Sequence, residues 1–179
     1  MSVRMIALAL AAAAAAAIFG FGLAVGVRAD ATKVAFPSNY ANGVKWLIVD
    51  KEPQKQVREM FAPPEAIAAA RKGEAMPDGT ALTLVRYAAK LDAQGSPVKD
   101  ENGRLVKGEI LGINVMQKGK GWGAEYPDKL RNGEWEYRAF NANNSPNEQA
   151  KLTACFECHK AQESQEFVYE YEKLKAAAE

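Results

Sequence analysis

The sequence predicts an α+β domain, mainly an antiparallel β-sheet with short helices. Residues 81–91 and 105–116 alternate in side-chain character along their length, as strands do, and Asn102-Gly103 between them is a hairpin turn signal. Residues 135–140 form a further apolar and aromatic segment of strand length. The predicted helical segments are short, and those over residues 54–61 and 64–72 are bounded by proline or glycine.

The first elements are predicted to be a strand and a short helix. Val44–Val49 is apolar and β-branched, which suits a first strand or a buried helix end. Within residues 54–61, the apolar side chains Val57, Met60 and Phe61 have i, i+3, i+4 spacing. This spacing places them on one face of a helix, so a helix is predicted there.

A second short helix is predicted over residues 64–72. Pro64 suits the first helical turn, Glu65 suits its positive N-terminal end, and Gly73 is the expected stop. Residues 77–80 then form a turn signal directly before the hairpin.

The C-terminal part is predicted to contain one helix and one strand. The helix covers residues 152–161. In residues 167–172, Phe167, Tyr169 and Tyr171 alternate with polar or smaller side chains, which predicts a final strand with one aromatic face.

The N-terminus has the pattern of an export signal. Arg4 is followed by the apolar run Met5–Val27, and Val27-Arg28-Ala29 offers small residues at the cleavage positions. We therefore expect a signal peptide over residues 1–29, a folded domain over residues 30–179, and a periplasmic location. The apolar run is also long enough for an uncleaved membrane anchor, which is kept as the alternative.

The charge pattern argues against a nucleic-acid partner. The formal net charge is +1 at pH 7, and 23 Lys and Arg residues are interspersed with 22 Asp and Glu residues. Such mixing is typical of a solvated surface rather than of a basic patch that binds phosphates.

The most informative motif is Cys155-Phe156-Glu157-Cys158-His159. This Cys-x-x-Cys-His spacing is the attachment signature of c-type haem, in which each thiol adds to one haem vinyl group and the histidine binds the iron. We expect one haem c per chain, attached through Cys155 and Cys158, with His159 as the metal ligand. The motif then lies on the C-terminal helix, and the haem packs against the sheet.

Three other uses of these side chains are kept open. The chain has two cysteines and one histidine, whereas a structural zinc site usually takes four such ligands. A redox Cys-x-x-Cys motif is typical of a βαβ pattern, which the sequence around Cys155 does not show. A plain disulfide between Cys155 and Cys158 is the third use.

Several segments together resemble the cytochrome P-460 and cytochrome c′-beta family. The resemblance covers the chain from Phe36 to about Leu174. The segments that carry it, in order, are Phe36–Tyr40, Pro77–Thr80, Gly121–Pro127, Asn132–Tyr137 and Thr153–Lys160. The resemblance implies a sheet-rich monohaem protein with five-coordinate iron, usually a homodimer.

The family has two branches with different chemistry. One branch oxidises hydroxylamine, and its haem carries an additional covalent link to a lysine. The other branch lacks this link and binds nitric oxide or carbon monoxide in an apolar distal pocket. Counted from Thr80, the position of that lysine is Leu84 here, and the nearest lysines, Lys72 and Lys90, lie elsewhere. We therefore predict no lysine link and a protein of the gas-binding branch.

The resemblance also implies residues around the haem. Leu82 and Leu84 are expected to face it, and Phe61 is the candidate for an aromatic cap over the distal site. Arg86 shares the strand face of Leu84 and is either a partner of a haem propionate or a surface arginine. In the loop before the motif, where the hydroxylamine-oxidising branch has a proton acceptor, Ala150 is nearest the matching position, and Glu148 is the remaining acid.

The sixth ligand of the iron separates the remaining alternatives. His159 is the only histidine, so a second histidine ligand is excluded by count. A methionine could bind instead, as in electron-transfer cytochromes. Met60 and Met116 are expected in the core, and Met76 at the surface beside a turn. The leading expectation is binding of nitric oxide or carbon monoxide. The alternatives are hydroxylamine oxidation, or electron transfer with a methionine ligand and a redox partner protein.

Overall fold

A five-stranded antiparallel sheet dominates the computed structural model, which describes residues 33–178. The strand order is β1-β2-β3-β4-β5, so each strand pairs with its neighbour in sequence. The strands are β1 Val44–Lys51, β2 Gln56–Ala62, β3 Ala81–Ala89, β4 Lys107–Lys118 and β5 Trp135–Phe140. The predicted α+β class is confirmed.

Three short α-helices accompany the sheet within residues 33–178. They are α1 Pro64–Lys72, α2 Thr153–Lys160 and α3 Tyr171–Ala176. As predicted, α1 has proline in its first turn, and Gly73 ends it in a left-handed conformation with φ of 70°. Within residues 33–178, no helix is long and apolar enough to cross a membrane. The predicted signal peptide or anchor lies outside the described residues.

The helix predicted over residues 54–61 is wrong, because this segment is strand β2. It pairs along its length with β1 and β3, for example through Met60 with Leu47 and with Leu84. As neighbours in a strand, Met60 and Phe61 point to opposite faces of the sheet, whereas a helix would have put them on the same face.

The final strand predicted over residues 167–172 is also wrong. Glu166, Phe167 and Glu170 have φ values of 53°, 61° and 58°, which lie in the left-handed region. A strand needs extended backbone at every residue, so these conformations turn the chain instead. The segment continues directly into α3.

Each face of the sheet carries its own apolar cluster. The first cluster joins one face to the helices, through residues such as Leu82, Met116, Phe156 and Leu174. The second lies on the other face and contains Val85, Ile113 and Phe140, with the N-terminal residue Val34 packed into it. The site described next lies on the helix-covered face.

Candidate cofactor-binding site

Helix α2 carries the Cys-x-x-Cys-His motif and is anchored by Phe156, the first of the two residues between the cysteines. Phe156 is 2% exposed. Its ring centroid lies 4.8 Å from that of Tyr126 and 4.7 Å from that of Tyr137. Because Phe156 points into the core, Cys155 and Cys158 remain outside it, half-buried and exposed respectively, with both thiols free.

His159 is held in one orientation by a backbone acceptor. Its Nδ1 lies 2.7 Å from the carbonyl oxygen of Phe167, so this nitrogen carries the hydrogen and donates it. Nε2 is then the nitrogen with a free lone pair. Burial lowers the pKa of His159, and the bond to Phe167 opposes this only in part. The side chain is therefore neutral at pH 7, which is the form that binds a metal.

A cavity of about 700 Å³ separates this motif from the sheet, and Cys155, Cys158 and His159 all line it. Cofactor pockets in proteins span about 300–1,000 Å³, so the volume is sufficient for a haem-sized group. The cavity receives side chains from all five strands and from the turn before α3. It therefore lies between the sheet and α2.

The middle of the sheet wall is mostly apolar. Strand pairing aligns one residue from each strand in a row across the sheet, and all five line the cavity. The members of this row are Leu47, Met60, Leu84, Asn114 and Ala139. The Oδ1 atom of Asn114 is buried and has no hydrogen-bond partner among the described residues, so the row has one polar position that a bound group could reach.

The next row across the sheet contains two arginines side by side. Arg58 pairs with Arg86 across the strands, and Arg86 pairs with Gly112. A Cβ atom at position 112 would lie 2.8 Å from Nη2 of Arg86, so the absence of a side chain there makes room for the guanidinium. Burial and the neighbouring Arg86 lower the pKa of Arg58.

This arginine pair provides a test of the fit to haem. The Nε atoms of Arg58 and Arg86 are both buried without a hydrogen-bond partner in the described part of the chain. Two like charges with unpaired donors at one cavity are costly unless an anion lies between or above them. Haem carries two carboxylates, so its polar edge supplies the missing acceptors, and the residues present fit the group.

Most of the predicted site residues are brought together at this cavity. Leu82, Leu84 and Arg86 line it from β3, opposite the motif on α2. Phe61 borders the same cavity, but its ring packs 5.2 Å from that of Tyr40, in the second cluster on the other face of the sheet. The prediction of Phe61 as an aromatic cap rests on the family resemblance, and the neighbouring residue Met60 lines the cavity beside it.

The methionines separate into two groups. Met60 and Met116 line the cavity, whereas Met76 does not. Met76 is 2% exposed and belongs to the first core cluster, so the expectation that it lies at the surface is wrong. The turn beside it is exposed, but the side chain points inward.

One lysine at the cavity was not considered in the sequence analysis as a candidate for a covalent link to the cofactor. Lys51, at the end of β1, is the one lysine among the described residues that line the cavity, and neither Lys72 nor Lys90 does so. Ala150 also lines it, whereas Glu148 lies outside and faces Arg138, with 3.7 Å between Oε1 and Nη2.

Other groups at the cavity were missed because their placement depends on strand register or on turns. Arg58 was assigned to a helix, and no sequence signal marked Asn114. Tyr169 was expected in a strand. It instead donates a hydrogen bond of 2.9 Å to the carbonyl of Cys158, and its ring lies 5.4 Å from that of His159.

No cluster of three or more His, Cys, Asp or Glu side chains within residues 33–178 is arranged to hold a metal ion by itself. His159 is thus a single protein ligand beside a large cavity. This arrangement suits a metal that brings most of its ligands with it, as the iron of haem does.

Comparison with known proteins agrees with this chemistry. No curated protein matches the chain. The model of the cytochrome P460 family matches residues 37–170, which include the five strands, α1, α2 and the Cys-x-x-Cys-His motif. The chain therefore belongs to the cytochrome P460 family and is a c-type haem protein.

Proposed function

We propose that this protein is an exported monohaem cytochrome that binds a neutral diatomic gas, nitric oxide or carbon monoxide, at an open coordination position. The observation that carries the proposal is the pairing of one histidine with a mostly apolar wall. His159 is the only histidine of the chain and lines the same cavity as Leu47, Met60 and Leu84.

Each residue of the motif has a separate task in this proposal. Cys155 and Cys158 attach the haem covalently, and burial raises the pKa of Cys155, which keeps its sulfur as a thiol until it reacts. His159 presents Nε2 to the iron because Nδ1 is committed to the carbonyl of Phe167. When bound, the haem supplies an iron atom whose sixth position takes up small gases.

The arginine pair holds the polar edge of the cofactor. Arg58 and Arg86 carry the two buried Nε donors that lack partners among the described residues. We assign them to the two haem carboxylates, because charge-assisted hydrogen bonds to planar carboxylates are the contacts that guanidinium groups form best. This use of Arg86 chooses one of the two roles that the sequence left open.

The apolar row sets which ligands can enter. An anion or a hydrated ion would lose its water against Leu47, Met60 and Leu84 without compensation, which is costly. A neutral diatomic molecule carries no such cost. Asn114 adds one polar contact to this row, and it is the residue through which the wall could distinguish gases of different polarity.

The coordination state of the iron tests the proposal. The haem-loaded protein should give a five-coordinate, high-spin ferrous spectrum by optical and resonance Raman spectroscopy, and it should change on addition of nitric oxide or carbon monoxide. A six-coordinate, low-spin ferrous spectrum without added gas would contradict the proposal. His159→Ala is the control, because loss of the ligand should abolish the native iron spectrum.

Hydroxylamine oxidation is the second candidate, and one observation favours it. Lys51 lines the cavity, so a lysine is present near the cofactor even though Leu84 occupies the position expected from the family. Mass spectrometry of tryptic haem peptides separates the two functions. A haem joined to the Lys51 peptide as well as to the Cys155–Cys158 peptide would favour oxidation.

Electron transfer is the third candidate, because Met60 lies on the cavity side of β2. A sulfur–iron charge-transfer band at the red end of the ferric spectrum would indicate this ligand, and Met60→Leu should remove it. If Met60→Leu and Met116→Leu both leave the ferric spectrum unchanged, methionine ligation is excluded.

Export, a homodimer and a redox partner protein belong to the same proposal and rest on the sequence pattern and the family resemblance. Fractionation of a host that matures c-type cytochromes tests the periplasmic location. Sedimentation analysis of the haem-loaded protein tests the dimer.

A further inference from the structure

We propose that Glu166, held by Lys118, is a positioning residue for the iron ligand. Glu166 fixes the carbonyl group of Phe167, which accepts the hydrogen bond from Nδ1 of His159. It thereby influences the strength of the iron–histidine bond and the reduction potential of the iron. The inference rests on the proposed function in one respect, namely that His159 binds the iron.

The first observation is the backbone conformation around the acceptor. Glu166 and Phe167 are consecutive residues with φ of 53° and 61°. The left-handed region is disfavoured for residues with a side chain, and Phe is not among the types that enter it readily. Two such residues in succession therefore need contacts elsewhere to hold them. They also direct the Phe167 carbonyl to within 2.7 Å of Nδ1.

The second observation is an ion pair on the residue before the acceptor. Nζ of Lys118 lies 3.1 Å from Oε2 of Glu166, and the Lys118 side chain is only 12% exposed. Its ammonium also lies 5.8 Å from the centre of the Trp135 ring, a fully buried side chain. An ion pair with this little solvent contact is screened less than a surface pair. Glu166 is thus tied to the last residue of β4.

The third observation is that the ring of Phe167 packs in the core, away from the ion pair of Glu166 with Lys118. Phe167 is buried in the first core cluster. A Cβ atom at Gly133 would lie 3.1 Å from Cε2 of this ring, so the ring lies close against a backbone position without a side chain. The carbonyl is therefore fixed on one side by the packed ring and on the other by the anchored Glu166 carboxylate.

The chemical consequence follows from the bond at Nδ1. A stronger hydrogen bond from Nδ1 increases the electron density of the imidazole and strengthens its bond to the metal through Nε2. It also stabilises the ferric state and lowers the reduction potential. If the ion pair is lost, the turn should relax and the hydrogen bond from Nδ1 to the Phe167 carbonyl should weaken. The iron–histidine bond should then become weaker and the reduction potential should rise.

The experiment compares Glu166→Gln, Lys118→Gln and Lys118→Arg in the haem-loaded protein. The two readouts are the iron–histidine stretching frequency of the ferrous form and the reduction potential. We expect a lower frequency and a higher potential in both glutamine variants, and values close to wild type in Lys118→Arg. Lys99→Gln is the matched control, because it breaks the exposed pair with Glu52, in which 2.7 Å separates Nζ from Oε1.

Unchanged frequency and potential in both glutamine variants would overturn the inference. So would an equal change in the Lys99→Gln control, because the effect would then be one of overall charge. Glu166→Gln retains the volume of the side chain, so it remains informative if Lys118→Gln fails to fold. The potential can be measured in either coordination state. A six-coordinate ferrous iron would therefore count against the proposed function while leaving this inference open to its own test.

Discussion

Truncation of Phe156 should be among the most destabilising single changes at this site. The side chain is 2% exposed and contacts two aromatic rings, with centroid distances of 4.8 Å to Tyr126 and 4.7 Å to Tyr137. A buried Phe→Ala change costs about 3–5 kcal/mol, and each aromatic pair adds about 0.5–1.5 kcal/mol beyond its buried area. We therefore expect a loss of about 4–5 kcal/mol for Phe156→Ala.

This loss converts to a large shift in thermal stability. For a domain of this size, 1 kcal/mol lowers the Tm by about 2–4 °C, so Phe156→Ala should lower it by about 8–20 °C. Phe156→Leu keeps most of the volume and should cost less than about 2 kcal/mol. Thermal unfolding of the haem-loaded proteins, followed by circular dichroism, measures both shifts.

The control is an apolar residue of similar size at the surface. Leu91 is 49% exposed, and Leu91→Ala should change the free energy of unfolding by no more than about 0.5 kcal/mol. The reasoning is refuted if Phe156→Ala and Leu91→Ala give the same Tm within about 3 °C. In that case Phe156 would not be the residue that anchors α2.

Two further changes test the sheet. Gly112→Ala would place a Cβ atom 2.9 Å from the backbone carbonyl oxygen of Phe140, which cannot move aside as the end of a side chain can, so it should lower the free energy of unfolding in urea by about 1–3 kcal/mol. Gly108→Ala, with a nearest contact of 3.2 Å, should cost less, and an equal cost would contradict the steric argument. The hydrogen bond from Arg104 lowers the pKa of Asp50, so this carboxylate stabilises the fold above the ordinary aspartate pKa and loses that effect as the pH falls through its folded value. Stability should therefore drop below about pH 4 in the wild type and less steeply in Asp50→Asn, and parallel acid-unfolding curves would be evidence against the pair.

Local patterns were sufficient for most of the sheet but not for β2. The alternation in β3 and β4 and the proline and glycine around α1 are signals within a few residues, and they predicted these elements correctly. In β2 both faces are used, because Val57 and Glu59 are buried on one face while Arg58 and Met60 face the cavity. Because both faces of β2 contact other parts of the protein, its sequence does not alternate between apolar and polar residues. The spacing of its apolar residues instead coincided with that of a helix.

The residues of the candidate site also fall into two groups, those that the local sequence predicts and those whose position depends on strand pairing. Cys155, Cys158 and His159 lie within five consecutive residues, so a role in cofactor binding could be predicted for them before any fold was known. Arg58 and Asn114 reach the cavity only through the pairing of β2, β3 and β4, and a register shift of one residue would turn each of them to the other face. Sequence periodicity cannot fix that register, so these residues could not be predicted.

The nearest-neighbour order of the strands has a kinetic consequence. Every pairing in the sheet joins strands that are neighbours in sequence, so no pairing requires a distant part of the chain, which limits the loop-closure entropy that is lost. The whole sheet also precedes Cys155 in sequence, so the floor of the cavity can form before the segment with the two thiols folds. Attachment of the cofactor would then be the last step of maturation, in which α2 packs over a cavity whose sheet wall has already formed.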